Sequence, residues 1–196
     1  MALALLLTCA AGCAGIGSAN PGDSQSTMTE NTSETDRQHF DAAQDQMEHI
    51  LPLLQESAAT AGVHLPLENL AEVSCLGAIV ENIQEQTSWQ GFLGEAVPNQ
   101  AEAQSALDAV AASLETEGWT LGEDSGELVD DPDYGRYLVY RKDGIIINAS
   151  YRFGDGGLVE IRATTVCVDH PTDHQMVRST LDPSYGKSSK YYPDGQ

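Results

Sequence analysis

Phe40, Ala43, Met47, Ile50, Leu51, Leu54 and Ala58 recur at spacings of three and four, which predicts a helix with one apolar face. The helix should start near Thr35 and end at Gly62. Pro52 lacks an N–H and its ring clashes with the preceding turn, so it should kink or split the helix near Leu51. A second helix is capped by Asn99, has Glu102 three residues later, and carries a stripe of Ala103, Leu107, Val110, Ala111 and Leu114 before Gly118 ends it. Between the two the pattern is ambiguous. Leu67, Leu70, Val73, Leu76, Val80 and Ile83 fit a helical face while QEQTSWQGF reads as extended, so we place a strand at roughly 82–92 and leave 65–92 open between helix and strand.

Beyond Gly118 the period changes from 3.6 to 2. Trp119-Thr120-Leu121 begins a strand, and GEDSGELVDDPDYG follows as an acidic loop. In IIINASYRF, Ile145, Ile147, Ala149, Tyr151 and Phe153 alternate with Asn148, Ser150 and Arg152; in the next strand Val159, Ile161, Ala163, Thr165 and Cys167 alternate with Glu160, Arg162 and Thr164. Asp143-Gly144 links YLVYRK to IIINA as a two-residue hairpin turn and Gly154-Asp155-Gly156-Gly157 makes the next turn, because both need positive φ. The fold class is therefore α+β: an antiparallel β-sheet meander with two or three helices packed on one face. After His170-Pro171 the pattern stops. We read 35–175 as a single domain and 176–196 as a loose polar tail.

The N-terminus points to export. Ala2 to Leu7 form a short apolar run followed by the small residues Ala10-Ala11-Gly12 and then Cys13, too short for the roughly 20 apolar residues of a membrane span. This stretch resembles a bacterial lipobox, which makes residues 1–12 a lipoprotein signal peptide and Cys13 the lipidation site. Cleavage near Ala14 or Ala19, or an uncleaved anchor, are the competing readings. Residues 13–34, rich in Gly, Ser, Thr and Asn, bury too little surface to offset chain entropy and read as a flexible tether. With Cys9 in the leader and Cys13 lipidated, Cys75 and Cys167 remain, and one disulfide in an oxidising compartment is the simplest assignment. Two buried free thiols are the alternative. Cys167 falls on the predicted inward face.

Charge narrows the function without naming it. The chain has 30 acidic and 9 basic residues, a formal net charge of −21, and residues 1–135 hold 23 of the acids but only Arg37 among the bases. Such a balance repels phosphate backbones and anionic lipid surfaces, so nucleic acid is excluded as the expected partner. Asp169-His170-Pro171-Thr172-Asp173-His174 is the densest group of possible metal ligands, but Pro171 and the preceding strand argue against a helix through it. We read it as a polar loop and assign no metal. Asp130-Asp131-Pro132-Asp133-Tyr134-Gly135 does not fit the calcium-loop series and reads as an acidic turn. No G-x-S-x-G, H-E-x-x-H, Walker loop or dinucleotide fingerprint occurs in the sequence. Glu115 and Glu117 read as a solvated helix face, Trp89 and Trp119 as core, and Tyr185, Tyr191 and Tyr192 with Lys187 and Lys190 as part of the tail.

The order of lipobox, polar tether, helix, cysteine, a helix ending in LETEGW, then YLVYRKDGIIINASYRF and LVEIRATTVC, resembles small secreted lipoproteins of actinobacteria, LppA-like in general character. The resemblance covers roughly residues 1–170. It implies surface attachment and an α+β domain, and carries over no catalytic residue. The expectation is a lipid-anchored, extracytoplasmic protein on the outer face of the cell membrane, with a non-catalytic binding or envelope-interaction role and no cofactor. The membrane is a partner through the lipid, and a protein or envelope partner is left unspecified. The rival reading is a cell-wall-directed hydrolase using surface carboxylates.

Overall fold

The computed structural model describes residues 32–76, 83–126 and 135–196. Cys13, the signal peptide, nearly all of the tether and most of the Asp130–Gly135 turn lie outside the described residues. Helix α1 spans Glu34–Thr60, and the Ser33 hydroxyl caps it by accepting from the Asp36 N–H. Its buried residues are Phe40, Ala43, Met47, Ile50, Leu51, Leu54 and Ala58, the face that the spacing predicts. Pro52 does not split the helix, which runs from Glu34 to Thr60 through it. Pro52 lies on the exposed side, while Ile50, Leu51 and Leu54 are buried around it. Burial of each such side chain contributes about 1.5–3 kcal/mol, enough together to offset the roughly 3 kcal/mol that an interior proline costs.

The ambiguous stretch is extended. β1 (Leu67–Ser74) pairs antiparallel with β2 (Gln86–Ala96), so the helical spacing of its leucines is not used. Helix α2 (Gln100–Thr116) is capped by the Asn99 side chain. Then follow β3 (Thr120–Asp124), β4 (Arg136–Lys142), β5 (Ile145–Arg152), β6 (Leu158–Thr165) and β7 (Val168–Asp169). The sheet order is β1-β2-β6-β5-β4-β3, all antiparallel, with β7 beside the start of β2. The β3-to-β6 meander is thus joined, through β6, to the β1–β2 hairpin.

Both helices pack on one face of the sheet. α1 lies over β2 and β6, α2 lies over β5, and the helices touch each other. Ile145, Ile147, Ala149 and Tyr151 of β5 and Val159, Ile161 and Ala163 of β6 form the buried side. Gly91 lets α1 come close, since a Cβ there would stand 2.5 Å from Leu51 Cδ1. At the β4–β5 turn Asp143 and Gly144 have φ of 45° and 77°, and a Cβ on Gly144 would lie 2.6 Å from His39 Nδ1. Glycine is needed there for both conformation and space.

Cys75 and Cys167 are joined by a disulfide, with Sγ atoms 2.06 Å apart and Cα atoms 6.2 Å apart. Cys167 is exposed rather than inward. β6 ends at Thr165, and the bend before β7 breaks the alternation on which the inward placement relied.

The C-terminal segment is a further correction. Residues 176–196, expected to be loose, belong to the compact unit Asn31–Gln196. Val177 O accepts from Glu72 N, Ser179 N donates to Leu70 O, and Leu70 N donates to the buried Asp182 carboxylate at 2.7 Å. The segment therefore caps the open edge of β1, supplying partners that an edge strand otherwise leaves unmet. Its sequence shows no period because it contributes an isolated bridge, Ala71 with Arg178, and turns rather than a full strand.

Candidate functional site

Strand alternation puts Leu70 and Glu72 of β1 on the same side, and Glu72 pairs with Trp89, whose ring lies 6.4 Å from Phe40 of α1. Glu72 is therefore a carboxylate on the helix-facing side, only 4% exposed. Such a group needs partners, because burying a charge alone is costly. It receives them from β2 and from the segment after β7. Thr87 Oγ1 donates to Glu72 Oε2 at 3.3 Å and lies 2.9 Å from His170 Nε2, and His174 Nε2 lies 2.7 Å from Glu72 Oε2.

The backbone sets this geometry. β7 aligns with Gln86 and Thr87, His170 N donates to Glu85 O, and Arg37 of α1 donates to Asp169 O at 2.6 Å. Pro171 to His174 then form a turn closed by His174 N to Pro171 O. It folds the second imidazole onto the first, with ring centroids 3.8 Å apart and planes 8° apart, while the Phe40 and His170 rings pack edge-to-face with centroids 5.1 Å apart. Burial pushes the Glu72 carboxyl above its ordinary range, opposed by the His174 and Thr87 hydrogen bonds and the His174 charge. Burial also holds His170 down to about 4, aided by His174 and Arg37 and opposed by Asp169 and Asp41. His170 is thus neutral at neutral pH.

A second feature lies on the opposite face of the sheet, which the helices do not cover. Arg162 and Asn148 pair across β6 and β5, Asn148 pairs with Val139 of β4, and Arg162 pairs with Phe92 of β2. The Arg162 guanidinium lies 4.6 Å over the Phe92 ring. Glu160 sits between two arginines: Arg162 Nη2 donates to it at 2.8 Å, and Arg152 Nε approaches at 2.6 Å as a charge contact rather than an aligned hydrogen bond. The neighbouring row holds exposed Arg141, Ile146, Thr164 and exposed Gln90. The Arg162 side chain is 60% exposed.

The comparisons add no relative. No family model, curated protein or solved structure matches the chain. The remaining candidates therefore rest on their own surroundings. Trp89 and Trp119 are core residues, 3% and 6% exposed. Glu115 accepts from Tyr140, and Glu117 pairs with His49, so these carboxylates are separately engaged. Tyr192 is half-buried, with Arg178 3.8 Å over its ring and its hydroxyl donating to Glu72 O, whereas Tyr185 and Tyr191 are exposed. Sequence reading singled out His170 and His174 but missed Glu72 and Thr87. Their available signal was a polar side chain at an inward strand position.

Three phenols carry a pH dependence. The Glu123 hydrogen bond raises Tyr137, burial and then Glu115 push Tyr140 up to about 12, and burial raises Tyr192. The folded state thus keeps protons that the unfolded chain releases near pH 10, so this stabilisation is present below about pH 10 and lost as pH rises toward about 12. Urea midpoints measured at about pH 9 and about pH 11 should fall on the alkaline side; an equal or higher midpoint at the upper pH contradicts the assignment.

Proposed function

We propose that the chain is an exported lipoprotein, anchored through Cys13 on the outer face of the cell membrane, whose domain binds an anionic polymer of the cell envelope through the open sheet face. The observation that supports this reading is the separation of charge between the two faces. α1 and α2 carry one basic residue, Arg37, among many acids. The open face presents Arg141, Arg152 and Arg162 against Glu160 and, at its β3 edge, Glu123, interleaved with Phe92, Val139 and Ile146.

The net acidity does not forbid such binding. Acids on the outer side of the helices lie roughly 15 Å behind the sheet, given a helix diameter of about 10–12 Å and a layer spacing of about 10 Å. That exceeds a Debye length of about 8 Å at physiological ionic strength. Guanidinium groups match phosphate and carboxylate geometry with paired donors. Asn148, Ser150 and Thr164 add hydrogen-bonding groups for polyol hydroxyls, and the apolar side chains add contact area. No reaction is required of this surface.

Two measurements test the proposal. The intact mass of the protein from its native membrane, without reductant, should correspond to Cys13–Gln196 plus acyl groups minus two hydrogens. An unlipidated chain starting elsewhere contradicts the anchor. Poly(glycerol phosphate) should bind with an affinity that falls with salt, and the variant Arg141→Gln/Arg162→Gln should weaken it about tenfold, or about 1.4 kcal/mol. Neutral dextran of equal length binding as tightly, or an unchanged affinity in the variant, contradicts the open-face reading.

A further inference from the structure

We propose that Glu72, His170 and His174 form a site for one divalent transition-metal ion, zinc foremost. One donor atom from each of the three residues lies within 4.8 Å of the other two. Two imidazoles and a carboxylate suit borderline ions such as zinc, and three protein ligands leave a fourth tetrahedral position for water. With metal–ligand distances of about 2.0–2.2 Å, a tetrahedral ion places its donors roughly 3.3 Å apart. The Glu72–His174 pair is already closer than this, at 2.7 Å. To bring in the remaining donor the rings, stacked with planes 8° apart, would have to splay so that their in-plane lone pairs converge on the ion.

The scaffold holds the ligands in advance. Glu72 lies three residues before Cys75, and His170 lies three residues after Cys167, so the disulfide ties together the two segments that carry the ligands. Thr87 contacts both Glu72 and His170 and can orient the carboxylate once the ion replaces the direct Glu72–His174 bond. The Tyr192 hydroxyl donates to Glu72 O, and the tail holds β1 from its outer edge. The His174 side chain is 20% exposed and that of Glu72 only 5%, so an ion enters past His174 and ends on a buried oxygen. The acidic helix layer raises the local concentration of cations. Without metal the same groups form a satisfied hydrogen-bond network, which is the structural alternative that the experiment must separate.

The test uses the full chain with its disulfide intact, stripped with EDTA and titrated with Zn²⁺ and Co²⁺. We expect one ion per chain, and a melting temperature about 5 °C or more higher at a hundredfold excess over Kd. The Co²⁺ complex should lack an intense thiolate charge-transfer band, which separates this site from Cys9 and Cys13. Glu72→Gln and His174→Gln should each weaken binding at least tenfold, whereas His49→Gln, at an exposed surface pair, should not. Should either ligand variant fold poorly, imidazole NMR of the unaltered chain decides: Zn²⁺ must shift His170 and His174 together and leave His39, His49 and His64 in place. Absence of binding, unchanged affinity in both ligand variants, or shifts confined to the other histidines would overturn the proposal. The outcome is independent of polymer binding, because the two sites lie on opposite faces of the sheet.

Discussion

A chain ending at Gln175 is expected to be about 3–5 kcal/mol less stable than the full protein. Truncation removes Val177 O and Ser179 N, which pair with Glu72 and Leu70, and removes the Asp182 carboxylate that accepts from the Leu70 N–H. Each lost backbone hydrogen bond costs about 0.5–1.5 kcal/mol, and the bond from the Leu70 N–H to the Asp182 carboxylate, made to a charged group, about 1.5–3 kcal/mol. Met176, 4% exposed, is lost from the packed interior as well. The bared edge of β1 should also make the truncated chain prone to association. Urea denaturation of both chains checks this. A difference below about 1 kcal/mol would mean that the segment is dispensable, as its polar sequence suggests.

The second large effect concerns the crosslink. Cys75→Ser/Cys167→Ser is expected to cost about 4 kcal/mol, because the bridge spans a sequence separation of 92 residues and restricts the unfolded chain accordingly. Denaturant midpoints of the double variant and of the native protein, both without reductant, measure the cost. Equal midpoints would show that strand pairing alone fixes the two segments. If the metal proposal holds, the same variant should also bind Zn²⁺ more weakly, since Glu72 and His170 then lose their common tether.

The two helices and the strands from β4 to β6 were legible because each buries one face at a regular period. The residues of α1 from Phe40 to Ala58 kept that face despite Pro52, which lies on the solvent side. β1 was not legible. Its leucines carry helical spacing, and its strand character comes from pairing with β2 and with the C-terminal segment, contacts that no local pattern encodes. The same ambiguity hid the candidate site. Read as a helix, Glu72 is one more acid on a solvated face; read as a strand, it falls on the same side as Leu70 and becomes an inward carboxylate that demands a partner. His170 and His174 stood out by spacing, yet the turn at Pro171 that stacks them is a three-dimensional arrangement. Cys75 and Cys167 were legible as a pair by elimination, although the inward placement of Cys167 failed where β6 ends.

The central claim, that the helix-free face of the sheet is the binding surface, is tested most directly by mapping amide and side-chain NMR shifts during titration with poly(glycerol phosphate). The account predicts perturbations concentrated at Phe92, Arg141, Ile146, Asn148, Arg152 and Arg162, with α1 and α2 unaffected. Perturbations confined to the helices or to the C-terminal segment, or none at saturating polymer, would contradict it.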